Sequence, residues 1–305
     1  MRLATLLRIF LAVQVLGATL LAWWLLPDDV HRSWALAIGA LVPVVGTAIV
    51  LAIEMTVGAI VDPRTPRASL LHVLRVWLDE IACSVRVFGW RQPFASTFPE
   101  PPIVRDAARP AVLLIAGYVC NRAVWKPLLD SGRLAHCNVA TVNIEPVFGS
   151  IDLYATEIHA AVQRLLKASG ASHLTLVCHS MGGLAARAYL RRHGAEADAV
   201  VSRVITLASP HHGTVFGKLG HGVNARQMAK GCEYLTSLAG AETIERRRRF
   251  VCIGTADDNL VVPRSSPLLP DAEHHLLDGV GHLALVEDPR AWDLIVRALP
   301  TPATH

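Results

Sequence analysis

A serine, two aspartates and a histidine stand in this order along the chain, each at a point where an apolar run ends or a loop begins. Ser180 ends one apolar run, Asp257 and Asp258 end a second, and His282 lies in a glycine-flanked loop. A serine hydroxyl becomes a strong nucleophile when a histidine takes its proton, and a carboxylate orients that histidine and stabilises its charged form. These residue types therefore predict two-step acyl transfer, with Ser180 as nucleophile, His282 as base and one of the two aspartates as acid.

The residues around Ser180 predict a sharp corner between a strand and a helix. A small residue is needed directly after such a corner so that the helix can pack close to the strand, and Gly182 and Gly183 supply it. A hydroxyl at this corner lies beside the backbone N–H groups that open the helix, which stabilise developing negative charge. An ordinary strand–helix junction is the alternative interpretation of this stretch.

Short apolar runs alternate with helical patterns over the last two thirds of the chain. Strands are predicted at 111–117, at 136–144, before Ser180, from Val201, from Phe250 and at 272–277, and helices at 152–168, after Ser180 and at 288–299. Strands that alternate with helices join through right-handed crossovers and form a mostly parallel sheet that is covered on both faces. The predicted fold class is therefore α/β.

Four stretches taken together resemble the bacterial lipase-like α/β-hydrolases. They are His179-Ser-Met-Gly-Gly-Leu-Ala-Ala-Arg, Ala208-Ser-Pro-His-His-Gly-Thr, Asp258-Asn-Leu-Val and Gly281-His282. The resemblance covers roughly residues 110–299, and it departs from the family's G-x-S-x-G pattern at Cys178, which occupies the first glycine position. It implies an α/β-hydrolase fold with Ser180 on the nucleophile elbow.

The resemblance also implies roles for individual residues. It selects Asp258 over Asp257 as the acid, and it implies that the backbone N–H groups of Tyr118 and Met181 form the oxyanion hole. The residues implied to line the substrate cleft are His179, His211 and His212. Such a mechanism requires no metal or organic cofactor, and adjacent histidines point apart, which disfavours a shared ion at 211–212.

Residues 215–248 lie where lipases insert a lid over the substrate cleft. A lid excludes water and presents an apolar face to a long acyl chain. A plain helix–loop connection is the alternative. The charge run Glu245–Arg249 within this segment is either a solvated face or, beside a membrane, a contact for anionic headgroups.

The amino-terminal region is more apolar than a soluble protein of this size requires. The 305 residues are 52% hydrophobic, with a mean hydropathy of +0.38, and the excess is concentrated in the segments Ile9–Leu26 and Ala35–Ile53. Each segment is long enough to span a membrane as a helix. The connection 27–34 is short and flanked by tryptophans, which prefer the headgroup level. We therefore predict a transmembrane hairpin over 1–62, a connector over 63–110 and a catalytic domain over 111–305.

The basic residues near the two segments predict the orientation of the hairpin. Arg2 and Arg8 precede the first segment, and Arg64, Arg67 and Arg75 follow the second. Because positive residues favour the cytoplasmic side, we predict a multi-pass protein of the cell (inner) membrane with a cytoplasmic catalytic domain. A cleaved signal peptide over 1–26 is the alternative, and it is disfavoured because no A-x-A-like site follows.

The connector begins with a helical pattern over 68–87. Its apolar stripe consists of Leu71, Leu74, Leu78, Ile81 and Val85, which recur at three- and four-residue spacing. This amphipathic helix lies on the membrane or caps the catalytic domain, and the sequence does not separate the two. The proline-rich residues 92–110 are predicted as a linker or as an extended edge that leads into the domain. Glu54, near the end of the second apolar segment, is either functional or close enough to the interface to reach water, and we favour the second interpretation.

Charge and cysteine usage exclude some classes of protein and leave others open. The net charge of +4 comes without a basic stripe interleaved with aromatic residues, so nucleic-acid binding is not expected. The six cysteines are scattered singly with no metal-ligand spacing, which favours buried free thiols and a reducing compartment.

Three functions fit the sequence. The first is a membrane-anchored lipase or carboxylesterase acting on small or lipid-like esters. The second keeps the acyl-enzyme but transfers the acyl group to another acceptor, or cleaves a thioester. The third is a membrane scaffold or transport accessory with an inert hydrolase fold. The presence of all the catalytic side-chain types favours the first two.

Overall fold

The computed structural model of the chain describes residues 2–26, 32–63 and 68–300. Its first helices are α1 (Leu3–Leu25) and α2 (Arg32–Val61), which pack against each other and are long and apolar enough to cross a membrane. Only 11% of each apolar window is buried, so neither is a core helix of the globular part. Most of the predicted connection 27–34 falls outside the described residues, as do Arg64 and Arg67.

Close packing between α1 and α2 depends on a glycine. A Cβ added at Gly39 would lie 2.8 Å from the carbonyl oxygen of Val15 and closer still to the hydroxyl of Thr19. A small residue at a helix–helix contact lets the two backbones approach closely. The two apolar helices therefore form a hairpin, with the start of α1 and the end of α2 on the same side.

Residues 68–300 contain a six-stranded parallel sheet, as the alternation of apolar runs and helical patterns predicts. The strands are β1 (Ala111–Ile115), β2 (Asn138–Val142), β3 (Leu174–His179), β4 (Val201–Leu207), β5 (Phe250–Thr255) and β6 (Glu273–Leu277). They pair in the order β2-β1-β3-β4-β5-β6, and every ladder is parallel. The predicted α/β class is confirmed.

Helices and short turns connect and cover these strands. The α-helices after the hairpin are α3 (Leu70–Ser84), α4 (Gln92–Phe94), α5 (Lys126–Asp130), α6 (Tyr154–Ser169), α7 (Met181–Val200), α8 (Val223–Gln227), α9 (Glu233–Gly240), α10 (Ile244–Arg247) and α11 (Pro289–Ala298). Local signals fix several of their ends. The Asp288 side chain caps the start of α11 with Pro289 in its first turn, and Gly170 ends α6 at a φ of 75°.

The sheet is buried on both faces, which explains why its central strands are continuous apolar runs. All residues of β1 and β3 are buried, and two separate hydrophobic clusters lie on the two sides of the sheet. The edge strand β6 is mostly exposed and correspondingly polar, with Glu273 and two histidines. Parallel sheets covered by helices on both faces have this burial pattern.

The connector helix α3 has two different faces. Glu80 and Cys83 are buried in contact with the sheet domain, and Val76 is buried on the same face of the helix. The apolar stripe predicted from the sequence points the other way: Leu71 is 79% exposed and Leu78 is 57% exposed. The helix therefore caps the domain with one face and leaves its predicted apolar stripe uncovered on the other.

The segment after α3 packs into the sheet domain at the point where the sequence predicts a linker. Helix α3 continues through a π-helical stretch (Val85–Arg91) into α4, where Gln92 is fully buried. The Gln92 carbonyl oxygen accepts a hydrogen bond from the side-chain amide of Asn121 at 3.0 Å, and its side-chain oxygen accepts one from the Asn121 backbone N–H. The buried polar groups of Gln92 are thus hydrogen-bonded to the loop that follows β1.

Candidate active site

The candidate nucleophile lies at the switch point of the sheet. Strand β2 lies on one side of β1, and β3 lies on its other side. The loops that leave the carboxyl ends of β1 and β3 therefore run in opposite directions. Ligands of open parallel sheets bind at such points. Ser180 directly follows β3, and a Cβ added at Gly117, two residues after β1, would lie 2.9 Å from the Ser180 Cβ.

Ser180 has the strained backbone of a strand-to-helix elbow. Its φ of 52° and ψ of −125° are unusual for a residue other than glycine. Helix α7 begins at the next residue and passes so close to β1 that a Cβ added at Gly182 would lie 2.7 Å from the Ile115 carbonyl oxygen. A small residue is thus needed after the serine, as predicted, but the backbone that it avoids is that of the neighbouring β1 and not that of β3, the strand before the elbow.

The three side chains predicted to carry the chemistry lie within hydrogen-bonding distance of one another. The Ser180 hydroxyl is 3.1 Å from His282 Nε2, and His282 Nδ1 is 3.1 Å from each carboxylate oxygen of Asp258. All three residues are at least 93% buried, with exposures of 6%, 4% and 7% in the order Ser180, His282, Asp258. Because a carboxylate only accepts, Nδ1 carries the proton and donates to Asp258, which leaves Nε2 free to accept from Ser180.

The two neighbouring aspartates have different partners. Asp258 Oδ1 accepts hydrogen bonds from the backbone N–H groups of Leu260 and Val261, at 2.9 and 2.6 Å, in addition to His282. Asp257 instead accepts from the Gly279 N–H at 2.7 Å and lies 3.0 Å from Nε2 of His72 on α3. Of the two carboxylates that the sequence leaves open, Asp258 is therefore the one in contact with the imidazole.

The charges around His282 favour its protonated form. Burial is the largest single effect and by itself lowers the pKa of this imidazole, but the carboxylates of Asp258, Glu80 and Glu54 together hold the pKa above its ordinary value. The ring of His179 lies 5.0 Å from the ring of His282. Burial and the neighbouring His282 hold the pKa of His179 well below its usual range, so it stays neutral beside His282.

The residues predicted to form the oxyanion hole lie on the two segments that meet at Ser180. Met181 is the first residue of α7, and Tyr118 follows Gly117 in the loop after β1. The Tyr118 hydroxyl donates to the His221 carbonyl oxygen at 2.8 Å and accepts from the His221 N–H at 3.1 Å, which ties this loop to residues 215–248. Their roles as backbone donors to an oxyanion stay a prediction.

The three histidines predicted to line the cleft have different surroundings. His179 packs beside His282, as described above. His211 is buried, lies 3.1 Å from the Thr206 hydroxyl and meets the ring of Phe250 edge-on. His212 is exposed, with Nε2 3.1 Å from the Leu268 carbonyl oxygen. These contacts are structural, and contact with a substrate stays a prediction for all three.

The candidate lid, 215–248, is anchored at several points. Within it, Asn224 donates to the Val147 carbonyl oxygen at 2.8 Å and to the Tyr154 hydroxyl at 3.0 Å, and Leu235 and Leu238 are buried in the core. Leu219 and Val223 are exposed by 82% and 43%. Exposed large apolar side chains of the segment thus lie in the turn near Tyr118 and at Ile244 in α10, which is 46% exposed. A movement of the whole segment as a lid stays a prediction.

Two carboxylates from the amino-terminal helices reach the loops that carry Asp258 and His282. Glu54 of α2 accepts a hydrogen bond from the Asn259 side-chain amide at 2.7 Å. Glu80 of α3 is 1% exposed and accepts from the backbone N–H groups of Leu283 and Ala284. Glu54 stood out in the sequence as a charge in an apolar segment. Glu80 did not, because it occupies an ordinary polar position of an amphipathic pattern.

Two groups of potential metal ligands occur among the described residues. His159, His193 and Glu196 form one, and their imidazole rings stack at 4.1 Å with an angle of 2° between planes. The other consists of His72, Asp257 and Asp278, in which His72 and Asp257 contact each other directly. Neither group contains Ser180, Asp258 or His282.

Solved structures share this arrangement of strands and helices. Lipase B of Aspergillus fumigatus superposes with a TM-score of 0.57 at 18% identity, over 65% of this chain and 54% of that protein. The mature lipase BlEst2 of Bacillus licheniformis gives a TM-score of 0.53 at 15% identity, over 65% of this chain and 95% of that one. The chain has an α/β-hydrolase fold. At these identities the similarity is evidence for the fold alone. This chain spans only about half the length of the Aspergillus protein.

A sequence-family comparison adds one narrower finding. The palmitoyl protein thioesterase family model matches residues 137–237, about a third of the chain. The match runs from the segment before β2 past Ser180 to α9, and it ends before Asp258 and His282. No curated protein sequence matches the chain significantly.

Proposed function

We propose that this protein is a membrane-anchored serine hydrolase that cleaves acyl esters through an acyl-enzyme on Ser180. The observation that carries the proposal is the chain of contacts from the Ser180 hydroxyl through His282 to Asp258, each 3.1 Å long and buried. The lipase structures that share the fold are consistent with it. The geometry supports a nucleophile, a base and an acid at these positions.

In the first step the Ser180 oxygen attacks the carbonyl carbon of the ester. Its proton passes to Nε2 of His282, and Asp258 stabilises the imidazolium through Nδ1. The backbone N–H groups of Met181 and Tyr118 would hold the oxyanion. The bond between the carbonyl carbon and the leaving oxygen then breaks, and the leaving group takes the proton from Nε2.

In the second step water attacks the acyl-serine carbonyl and gives a proton to the same nitrogen. The bond between the carbonyl carbon and the Ser180 oxygen breaks, the proton returns to that oxygen, and a carboxylic acid leaves. The raised pKa of His282 assists the proton transfers, because it brings the imidazole closer to the range in which it both accepts and releases a proton.

A thioester is the second candidate substrate, favoured by the match of 137–237 to the palmitoyl protein thioesterase family. The chemistry differs only in the leaving atom. A series of p-nitrophenyl esters and matched acyl thioesters of graded chain length, assayed on the full chain in lipid nanodiscs, separates the two. If the acyl chain enters an apolar cleft, kcat/KM is expected to rise about fourfold for each buried CH₂ until the cleft is filled.

Fluorophosphonate titration of the same samples supplies the reference. Turnover is expected to scale with the number of labelled sites, and the better of the two series identifies the leaving group. Added alcohol or thiol acceptors that divert the acyl group would identify a transferase. A chain that is neither labelled nor active on either series would contradict the proposal and favour the inert scaffold.

We further propose that the α1–α2 hairpin crosses the membrane and that α3 lies on its surface. The uncovered apolar stripe of α3 supports this, since its leucines face outward although the opposite face packs on the domain. Trp90 and Phe94, whose rings contact each other, add two further exposed apolar side chains, at 68% and 53% exposure. An amphipathic helix with such a stripe binds the headgroup region with its apolar face inward.

Both ends of the hairpin contact the catalytic domain, which supports a single location for them. At the start of α1, Leu3 and Leu7 pack with Val147, and at the end of α2, Asp62 accepts hydrogen bonds from Arg264. A cytoplasmic domain thus requires a hairpin turn on the outer side. Alkaline phosphatase fused after residue 29 should be active, whereas a fusion after residue 305 should be inactive and a fluorescent protein there should fluoresce. The reverse pattern would contradict the orientation.

A further inference from the structure

Helix α3 contributes a buried carboxylate that the acyl-transfer steps do not use. Glu80 Oε1 accepts the Leu283 N–H at 2.7 Å, and Oε2 accepts the Ala284 N–H at 2.9 Å. These are the two residues directly after His282, where a 3-10 helix (Ala284–Glu287) begins. A carboxylate that accepts two backbone N–H groups makes strong, charge-assisted hydrogen bonds. The loop that carries the base is therefore fixed from behind by a helix that precedes the hydrolase fold.

The backbone N–H of His282, which precedes these two, is hydrogen-bonded through a different side chain. The His282 backbone N–H donates to Asn259 Oδ1 at 3.0 Å, and the Asn259 amide donates to Glu54 of α2. Three successive backbone N–H groups, those of residues 282, 283 and 284, thus depend directly or through one side chain on carboxylates of α2 and α3.

The contact between Glu80 and the loop leaves no spare room. A Cβ added at Gly281 would lie 2.7 Å from the Glu80 carboxyl carbon and 3.2 Å from its Cβ. Real side-chain atoms do not approach so closely, so the glycine before His282 is required by the carboxylate that packs on it. The glycine-flanked histidine that the sequence displays therefore has a partner in α3.

We propose that Glu80 is a positioning residue for His282, through which the amino-terminal helices hold the imidazole in line with Ser180 and Asp258. The proposal rests on the hydrolase function proposed above. A misplacement of about 1 Å at a reacting group can cost about 10²-fold in rate, so a loop fixed at three N–H groups has a direct effect on turnover. The hairpin and connector are then part of the catalytic assembly as well as an anchor.

Glu80 also acts on His282 by its charge. Burial raises the pKa of Glu80 to about 7, although its two backbone donors lower it. The other titratable groups that face the imidazole are Asp258, Glu54 of α2 and His179, which stays neutral. In its ionised form Glu80 stabilises the imidazolium, so removal of its charge lowers the pKa of His282.

The test compares Glu80→Gln with wild type as full chains in nanodiscs, with rates expressed per fluorophosphonate-labelled serine. Glutamine keeps the shape but directs an NH₂ group at one backbone N–H. We expect kcat to fall by about 10- to 100-fold with KM within about twofold. The acid limb of the kcat/KM profile should move to lower pH. Glu80→Asp keeps the charge and shortens the reach, so its kcat should fall while its acid limb stays near that of wild type.

Glu287→Gln is the matched control. Glu287 lies on the same 3-10 helix and pairs with Arg86 at 2.9 Å and with Arg91, so it also ties the amino-terminal segment to the domain. It makes no hydrogen bond to the N–H groups after His282, and wild-type kcat and pH profile are expected. Wild-type behaviour of Glu80→Gln, or an equal loss in Glu287→Gln, would overturn the proposal. A wild-type chain that is neither labelled nor active would instead refute the hydrolase function itself.

Discussion

Replacement of Ser180 by alanine should lower ester hydrolysis by about 10⁴-fold or more and abolish labelling by a fluorophosphonate. The hydroxyl is 3.1 Å from the base and stands on a backbone conformation, φ 52° and ψ −125°, that a strand-to-helix elbow imposes. Without it no acyl-enzyme forms, and any remaining rate comes from binding and oxyanion stabilisation with water as the nucleophile. The measurement is kcat per mole of folded protein, together with the mass of the labelled peptide.

Ser169→Ala provides the control for loss of a buried serine. Ser169 is fully buried, and its hydroxyl donates to the Leu165 carbonyl oxygen at 2.8 Å near the end of α6, outside the contacts of the candidate site. Loss of this hydrogen bond costs about 1 kcal/mol of stability and should leave labelling intact. Labelling that persists in Ser180→Ala would assign the nucleophile to another residue.

The strands and the order of elements follow from local sequence signals. Continuous apolar runs such as that of β1 predict strands buried on both faces, and all five of its residues are buried. The small residues after Ser180 predict a close approach of α7 to the strand that it has just left, whereas a Cβ at Gly182 would clash with the Ile115 carbonyl of the neighbouring β1. Periodicity and steric demand act over a few residues, so the sequence alone carries this information.

Local sequence signals do not predict the contribution of the amino-terminal helices to the site. The hydrophobic period of α3 locates an apolar stripe at Leu71, Leu74 and Leu78, but it does not say what covers that stripe. The buried face of the helix is instead the one with Val76 and Glu80. The partner of Glu80 is more than 200 positions away, at Leu283. Only tertiary packing decides such pairs, and a buried carboxylate among apolar neighbours looks like a surface residue in sequence.

Asp258→Asn should lower kcat by about 10⁴-fold without unfolding the protein. Asparagine fills the same volume, but if its NH₂ group faces Nδ1, the imidazole must take the tautomer that donates from Nε2, which then cannot accept the Ser180 proton. Loss of the carboxylate also removes the main charge that raises the pKa of His282. With burial left to lower it, this pKa falls, so the acid limb of the remaining activity should move to lower pH.

Asp257→Asn is the control for Asp258→Asn. It removes one negative charge from the same loop but leaves the carboxylate that contacts His282. The Asp257 carboxylate accepts the Gly279 N–H and contacts His72, and it makes no hydrogen bond to His282. Its loss should therefore cost less than about tenfold in kcat and leave the acid limb close to that of wild type. An equal loss in both variants would mean that the loop as a whole is needed. A larger loss in Asp257→Asn would transfer the role of the acid to that residue, which would require His282 to turn toward it.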